Sequence, residues 1–122
     1  MTHTVLIADD EPNIVISLEF LMKREGFAVS VANDGEEAVK RIRADPPDLV
    51  LLDVMMPKKT GFEVCQEVRA DPALAGVRIL MLTAKGRDTE VAKGLALGAD
   101  AYMTKPFSTK DLVEKVRSML ES

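Results

Sequence analysis

The chain alternates short apolar runs with longer segments in which apolar residues recur at helical spacing. In chain order, the short runs are TVLIAD, FAVSVA, DLVLLD, VRILMLTA and AYMT. The longer segments cover residues 14–24, 36–44, 62–70, 89–97 and 110–120. Short apolar runs favour β-strands and helical spacing favours amphipathic helices, so the pattern predicts five strand–helix units in succession.

The third and fourth apolar runs are continuous at residues 50–52 and 79–82, with no alternating polar positions. Continuous hydrophobicity is typical of central parallel strands, which are covered by helices on both faces. The pattern therefore predicts an α/β fold with a doubly wound parallel sheet between two helical layers.

Residues that commonly begin or end helices flank the predicted segments. Asp34 and Gly35 indicate a turn into the second helix, Ser108 can cap the last one, and Gly26 and Gly98 fit the carboxyl ends of two others. The predicted inward faces are Ile14, Leu18, Leu21 and Met22 in the first helix, Ala38, Val39 and Ile42 in the second, and Leu112, Val116, Met119 and Leu120 in the last.

Length and composition fit one domain covering residues 1–122, since 122 residues with 47% hydrophobic content can bury an ordinary core. No apolar stretch approaches the roughly 20 residues of a membrane helix, and no signal peptide is visible. The single Cys65 cannot form an internal disulfide and has no metal-ligand spacing. We therefore expect a cytoplasmic protein that does not bind a membrane.

The formal net charge is −4, and the basic residues are scattered along the chain. This distribution argues against direct nucleic-acid binding by this domain, although a separate output domain could bind DNA.

Acidic residues follow two of the predicted strands. Asp9 and Asp10 end the first strand and Asp53 ends the third, while Thr83 ends the fourth and Lys105 follows the fifth. Because the carboxyl ends of parallel strands meet at one sheet edge, which is where ligands bind in open α/β sheets, we expect these side chains to converge.

Converging carboxylates repel one another, by roughly 4 kcal/mol per pair at about 4 Å in an effective dielectric near 20. Either one acid takes up a proton or a divalent cation binds, and Lys105 supplies one positive charge only. Mg²⁺ suits a few carboxylates with a backbone carbonyl, so we favour magnesium plus the lysine, with Mn²⁺ as a possible substitute.

Over essentially its whole length the sequence resembles the receiver domain of two-component response regulators, including the chemotaxis regulators. The matching features are Asp9-Asp10, the DVMMPKKTG segment that begins at Asp53, MLTA with Thr83, and YMTKPF with Lys105. The resemblance implies a flavodoxin-like (βα)5 three-layer sandwich with strand order 2-1-3-4-5, an order that the sequence pattern alone does not supply.

The resemblance also implies a function. Asp53 would accept a phosphoryl group from a phosphohistidine on a sensor histidine kinase or a histidine phosphotransfer protein. Asp9, Asp53 and the backbone carbonyl of Met55 would hold Mg²⁺, with Asp10 binding it directly or through water. Lys105 would neutralise the phosphoryl oxygens, since this chemistry is mainly positioning and electrostatics. The protein would catalyse only its own phosphorylation and slow dephosphorylation, and would otherwise not be an enzyme.

The resemblance also implies two switch residues that carry the signal from the site to the surface. Thr83 would move towards the phosphoryl group and Tyr102 would rotate into the vacated space, changing the surface of the fourth helix, fifth strand and fifth helix. This surface would act on a downstream effector protein or a fused output domain, and a phosphorylation-dependent homodimer is one possible response.

Four further residues receive structural roles. Pro57 would end the segment after Asp53, and Gly61 would allow the turn into the third helix. Ala84 would keep the path to the site open. By resemblance, Pro106 would follow a cis peptide bond that aims Lys105.

Met55 lies two residues after the acceptor, where a thioether cannot orient an attacking water as an amide can. The side chain of Lys85, two residues after Thr83, would also partly cover the site. We therefore predict slow intrinsic loss of the phosphoryl group.

Three other functions compete with this interpretation. A phosphatase of the haloacid dehalogenase type would need a second Asp where Met55 stands, and a flavodoxin-like electron carrier would need a phosphate-binding loop where the chain has DDEPN. A receiver-like adaptor that is never phosphorylated would not need Thr83 and Lys105 together with the acids. The chain could be a stand-alone regulator or a receiver from a larger protein, and the sequence leaves this open.

Overall fold

The computed structural model describes residues 2–84 and 88–121. Strands and helices alternate along the chain, as predicted from the apolar pattern. The strands are β1 (Thr4–Ala8), β2 (Ala28–Ala32), β3 (Leu49–Asp53), β4 (Arg78–Ala84) and β5 (Ala101–Lys105). The helices are α1 (Pro12–Arg24), α2 (Gly35–Ala44), α3 (Gly61–Ala70), α4 (Asp88–Ala96) and α5 (Thr109–Glu121). A short 3-10 helix, Pro72–Leu74, follows α3 and was not predicted.

All strand pairs in the sheet are parallel, and the strand order is β2-β1-β3-β4-β5. This is the order that the family resemblance implied. The reversal of strand order lies between β1 and β3, and it brings their carboxyl ends side by side at one edge.

Two apolar layers cover the faces of the sheet. One is formed with α1 and α5 and contains Ile7, Leu51 and Leu82; the other is formed with α2 and α3 and contains Leu52 and Met81. All five residues of β3 are buried, which confirms that it is a central strand. The flavodoxin-like three-layer α/β fold is therefore confirmed.

The predicted helix signals are also found in the structure. The Ser108 hydroxyl accepts a hydrogen bond from the Asp111 amide over 3.0 Å, and Asp34 caps α2 in the same way through Glu37. Gly26 and Gly98 have φ angles of +90° and +109°, which an L-residue seldom adopts. None of the helices in the described ranges is long and apolar enough to span a bilayer.

Candidate phosphoryl and metal site

The three acids that the sequence singled out lie together at the carboxyl edge of the sheet. Asp53 is the last residue of β3, and Asp9 and Asp10 directly follow the neighbouring β1. One carboxylate oxygen from each lies within 4.8 Å of the other two. Asp9 is fully buried and Asp53 is 6% exposed, whereas Asp10 is open to solvent.

Lys105 reaches this cluster from β5, where it is the last strand residue and not the residue after the strand, because it pairs with Ala84. Its ammonium lies 3.2 Å from Asp9 Oδ2 and 3.3 Å from Asp53 Oδ1. The same nitrogen is 3.6 Å from Glu11 Oε1, a partner that the sequence did not predict. The peptide bond between Lys105 and Pro106 is cis.

Burial and mutual repulsion shift the protonation of the site. The pKa of Asp53 is raised to about 6, mainly by burial and secondly by the Asp9 carboxylate, and Lys105 partly offsets both. Burial alone would lower the pKa of Lys105, but Asp53 and Asp9 outweigh it and raise that pKa above its usual value. The lysine therefore stays charged at neutral pH, and the cluster retains an excess of negative charge.

The donor set fits a hard divalent cation. Three carboxylates converge with one ammonium, and oxygen ligands with uncompensated negative charge are what Mg²⁺ and Mn²⁺ prefer. Met55, whose backbone carbonyl is the predicted fourth ligand, lies in the loop directly after β3, and its side chain is 67% exposed. The acidic pocket is therefore compatible with a bound metal.

Thr83 lies in β4, next to β3 in the sheet. Its side chain is 1% exposed, and its hydroxyl has no hydrogen-bond partner among residues 2–84 and 88–121. A buried hydroxyl without a partner is costly, and such a group can donate to an added oxygen. The strand continues one residue beyond Thr83 to Ala84, which is exposed. Lys85, which was expected to shade the site, lies outside the described residues.

Tyr102 is not part of the acid cluster. It lies on the edge strand β5, paired with Met81 of β4, and is 45% exposed. In the sheet, β4 lies between the strand that carries Tyr102 and the strand that carries Asp53.

The loop between β3 and α3 packs closely on its surroundings. A Cβ added at Gly61 would lie 2.3 Å from the Asp53 carbonyl oxygen, so Gly61 is required by close approach of two backbones rather than by a special turn angle. Pro57 is exposed, and its carbonyl accepts hydrogen bonds from the amides of Gly35 and Lys59. Sequence reasoning missed both of these partners, because Gly35 looked like an ordinary turn glycine.

The sequence model of the response regulator receiver domain matches residues 5–117. The chain is 45% identical over 120 residues to the alkaline phosphatase synthesis transcriptional regulatory protein PhoP of Bacillus subtilis. That match covers 98% of this chain and 49% of PhoP, so the chain spans about half the length of this relative.

Solved structures agree with the sequence match. A crystal structure assigned as a response regulator of Chloroflexus aurantiacus has a TM-score of 0.96 and 36% identity, with full coverage of both chains. The chemotaxis response regulator CheY4 of Vibrio cholerae has a TM-score of 0.92 and 31% identity, covering 98% of this chain and 100% of that one.

Proposed function

The chain belongs to the response regulator receiver domain family, and we propose that Asp53 is its phosphoryl acceptor. As a receiver domain it is part of a two-component regulatory system, in which a kinase supplies the signal and an effector receives it. Family membership supports this signalling role over that of a phosphatase or a flavin carrier. We further propose that residues 1–122 form one receiver domain that acts in the cytoplasm.

The observation that carries the proposal is the convergence at one sheet edge of Asp53, Lys105 and the adjacent pair Asp9 and Asp10, which come from three different places in the chain. A phosphoryl group carries negative charge on three oxygens. A site that receives it needs an ionised carboxylate and positive charge close by. Asp53, with its pKa near 6, is mostly ionised at neutral pH and can act as the nucleophile.

In the proposed reaction a carboxylate oxygen of Asp53 attacks the phosphorus of a phosphohistidine on a sensor kinase or a phosphotransfer protein. The phosphorus–nitrogen bond breaks, its electron pair stays on the imidazole, and Asp53 becomes an acyl phosphate. Lys105 loses part of its contact with the Asp53 carboxylate and can pair with a phosphoryl oxygen instead. The Thr83 hydroxyl, which has no partner among the described residues, can donate to another.

Magnesium would be held by Asp9, Asp53 and the Met55 carbonyl, with Asp10 binding it directly or through water. Bound there, the ion would neutralise the phosphoryl oxygens during transfer. Asp9 is already held in place, because its two oxygens accept hydrogen bonds from the Glu11 amide and from Lys105. The chain itself thus orients a ligand before any ion arrives.

For output, we propose that Thr83 and Tyr102 act as the switch residues, changing the surface of α4, β5 and α5. The first step is supported by the Thr83 hydroxyl, which has no hydrogen-bond partner in the part of the chain that the structure describes. The partial exposure of Tyr102 leaves room for its ring to change position. This surface would bind a downstream effector, a fused output domain or a second phosphorylated copy. Direct nucleic-acid or membrane binding by this domain is not part of the proposal.

Incubation with acetyl phosphate and Mg²⁺, followed by intact mass measurement, tests the acceptor. We expect one phosphoryl group on the wild type and none on Asp53→Asn. Asp45→Asn is the control, because Asp45 is an exposed acid at the end of α2. Equal labelling of Asp53→Asn and the wild type would contradict the assignment, as would labelling that is unaffected by EDTA.

A further inference from the structure

Gly35, the first residue of α2, lies directly against the loop that follows the acceptor. Its amide donates a hydrogen bond to the Pro57 carbonyl over 3.3 Å. A Cβ added at Gly35 would lie 2.0 Å from the carbonyl oxygen of Lys59 and 2.6 Å from its Cβ. No larger residue fits at position 35 unless the loop moves away from α2.

The loop is attached to its other neighbours as well. Lys59 Nζ lies 2.5 Å from Glu67 on α3, and the Lys59 amide donates to the Pro57 carbonyl over 2.8 Å. Lys58 Nζ is 3.8 Å from the carboxylate of Asp34, the residue that caps α2. Residues 57–59 are therefore held between α2 and α3.

The Met55 carbonyl, the proposed metal ligand, lies in a short segment, residues 54–57, that is held at both ends. Val54 donates to the Leu82 carbonyl over 3.2 Å and accepts from the Gly61 amide over 2.8 Å. Pro57 is held by Gly35. Only Met55 and Met56 lie between these two attachments, and Met56 is itself buried.

We propose that Gly35 is a positioning residue for the metal site, and that its contact with residues 57–59 sets the position of the Met55 carbonyl. The inference rests on the proposed function, in which that carbonyl is a ligand. A two-residue segment has little freedom once both ends are held, so moving residues 57–59 moves the Met55 carbonyl too. Outer partners of metal ligands commonly change affinity about 10- to 100-fold when they are altered.

The coupling must act in both directions. If the α2 contact strengthens metal binding, then metal binding strengthens the α2 contact by the same factor. A purely structural glycine would stabilise the fold without responding to the ion. The Mg²⁺ response of the Gly35 amide therefore separates the two roles.

The first experiment is calorimetric titration of Mg²⁺ into the wild type, Gly35→Ala and Gly76→Ala. Gly76 is the matched control, because an added Cβ there meets nothing within 4 Å. We expect the Kd of Gly35→Ala to rise about tenfold or more, and that of Gly76→Ala to stay within about twofold of the wild type. A folded Gly35→Ala protein with wild-type affinity would overturn the inference.

The second experiment needs no variant and decides the matter if Gly35→Ala does not fold. Amide hydrogen exchange is measured in the wild type with and without Mg²⁺. We expect greater protection at Gly35, but no change at Ala75, whose amide donates to Pro72 over the same 3.3 Å at the opposite sheet edge. Equal responses at the two amides would overturn the inference. A wild type that takes up no Mg²⁺ would overturn the proposed metal site along with it.

Discussion

Lys105 donates a hydrogen bond to Asp53 over 3.3 Å, although 52 positions separate the two residues in the chain. The contact spans the carboxyl ends of β3 and β5, with β4 and its Thr83 between them. It places the Lys105 ammonium against the proposed acceptor, so that each group shifts the pKa of the other.

Removing the lysine charge should make Asp53 harder to ionise. In Lys105→Met we expect the pKa of Asp53 to rise above its value of about 6, by roughly one unit or more, because a positive charge 3.3 Å from its carboxylate is lost. A pH titration of the Asp53 carboxyl carbon by NMR in metal-free buffer measures this. Lys110→Met, at an exposed position on α5, should leave the titration unchanged. A lower pKa in Lys105→Met would contradict the electrostatic account.

Ionised Asp53 should destabilise the metal-free fold. Its pKa is raised from 3.8 in the unfolded chain to about 6, so the folded state holds a proton that the unfolded state has released. The stabilisation is complete below the lower value and is lost as pH rises through about 6, at a cost of about 3 kcal/mol.

Asp53→Asn cannot titrate and serves as the comparison. The free energy of unfolding of Asp53→Asn, minus that of the wild type, should grow by about 3 kcal/mol between about pH 3 and pH 7. Urea unfolding in EDTA measures both proteins, and added Mg²⁺ should shrink the difference at pH 7. A difference that does not change with pH would rule out titration of Asp53 in this range.

The Thr83 hydroxyl should contribute nothing favourable to the unphosphorylated fold. It is buried and has no hydrogen-bond partner in the described ranges, so Thr83→Val should raise stability by about 1 kcal/mol. Thr60→Val is the opposite control, because the Thr60 hydroxyl caps α3 by accepting from Glu63, and its loss should cost about 1 kcal/mol. Denaturant unfolding measures the free energy of unfolding of both variants. A decrease of about 1 kcal/mol or more in Thr83→Val would contradict the prediction, because it would mean that the hydroxyl is hydrogen-bonded.

A methyl group at Gly61 should strain the backbone of the acceptor strand. Its Cβ would lie 2.3 Å from the Asp53 carbonyl oxygen and 2.9 Å from Val54 Cα, so we expect Gly61→Ala to lose about 2–3 kcal/mol. Gly76→Ala has open space around the new methyl group and should stay within about 1 kcal/mol of the wild type. Thermal unfolding of the two variants checks this, and equal effects would mean that the close approach is easily relieved.

The Met55 side chain should slow the loss of the phosphoryl group. Met55 is 67% exposed and lies two residues after the proposed acceptor, and a thioether cannot orient an attacking water. We expect Met55→Asn to lose the label faster by severalfold, and Met55→Leu to resemble the wild type. The decay of phosphorylated protein after removal of acetyl phosphate gives both rates. Identical rates of phosphoryl loss in Met55→Asn and the wild type would contradict the role of the Met55 side chain.

The order of strands and helices could be predicted from the sequence because burial leaves a periodic pattern in the chain itself. The run LVLLD is apolar at successive positions because β3 is covered on both faces, and Leu112, Val116, Met119 and Leu120 follow the helical period because α5 is covered on one. Helix ends were predicted for the same local reason, since Ser108 and Gly98 act on backbone groups a few residues away.

The candidate acids could also be named in advance, because each follows an apolar strand and parallel strands end at a common edge. Their convergence at one edge followed from the parallel strands, but the adjacency of β1 and β3 required the strand order, which came from the family resemblance and not from periodicity. The contact between Glu11 and Lys105 was not predicted, since nothing in either local sequence indicates it.

Only the tertiary structure decided why particular glycines are needed. Gly35 and Gly61 look like turn residues in the sequence, yet each is required where a backbone carbonyl approaches closely, that of Lys59 at Gly35 and that of Asp53 at Gly61. It also decided that Thr83 is buried and Asp10 exposed, and that the pKa of Asp53 is raised. Periodic burial and capping depend on neighbours along the chain, and so the sequence alone determined them. Close approach, desolvation and charge coupling depend on neighbours in space, which exist only once the sheet has assembled.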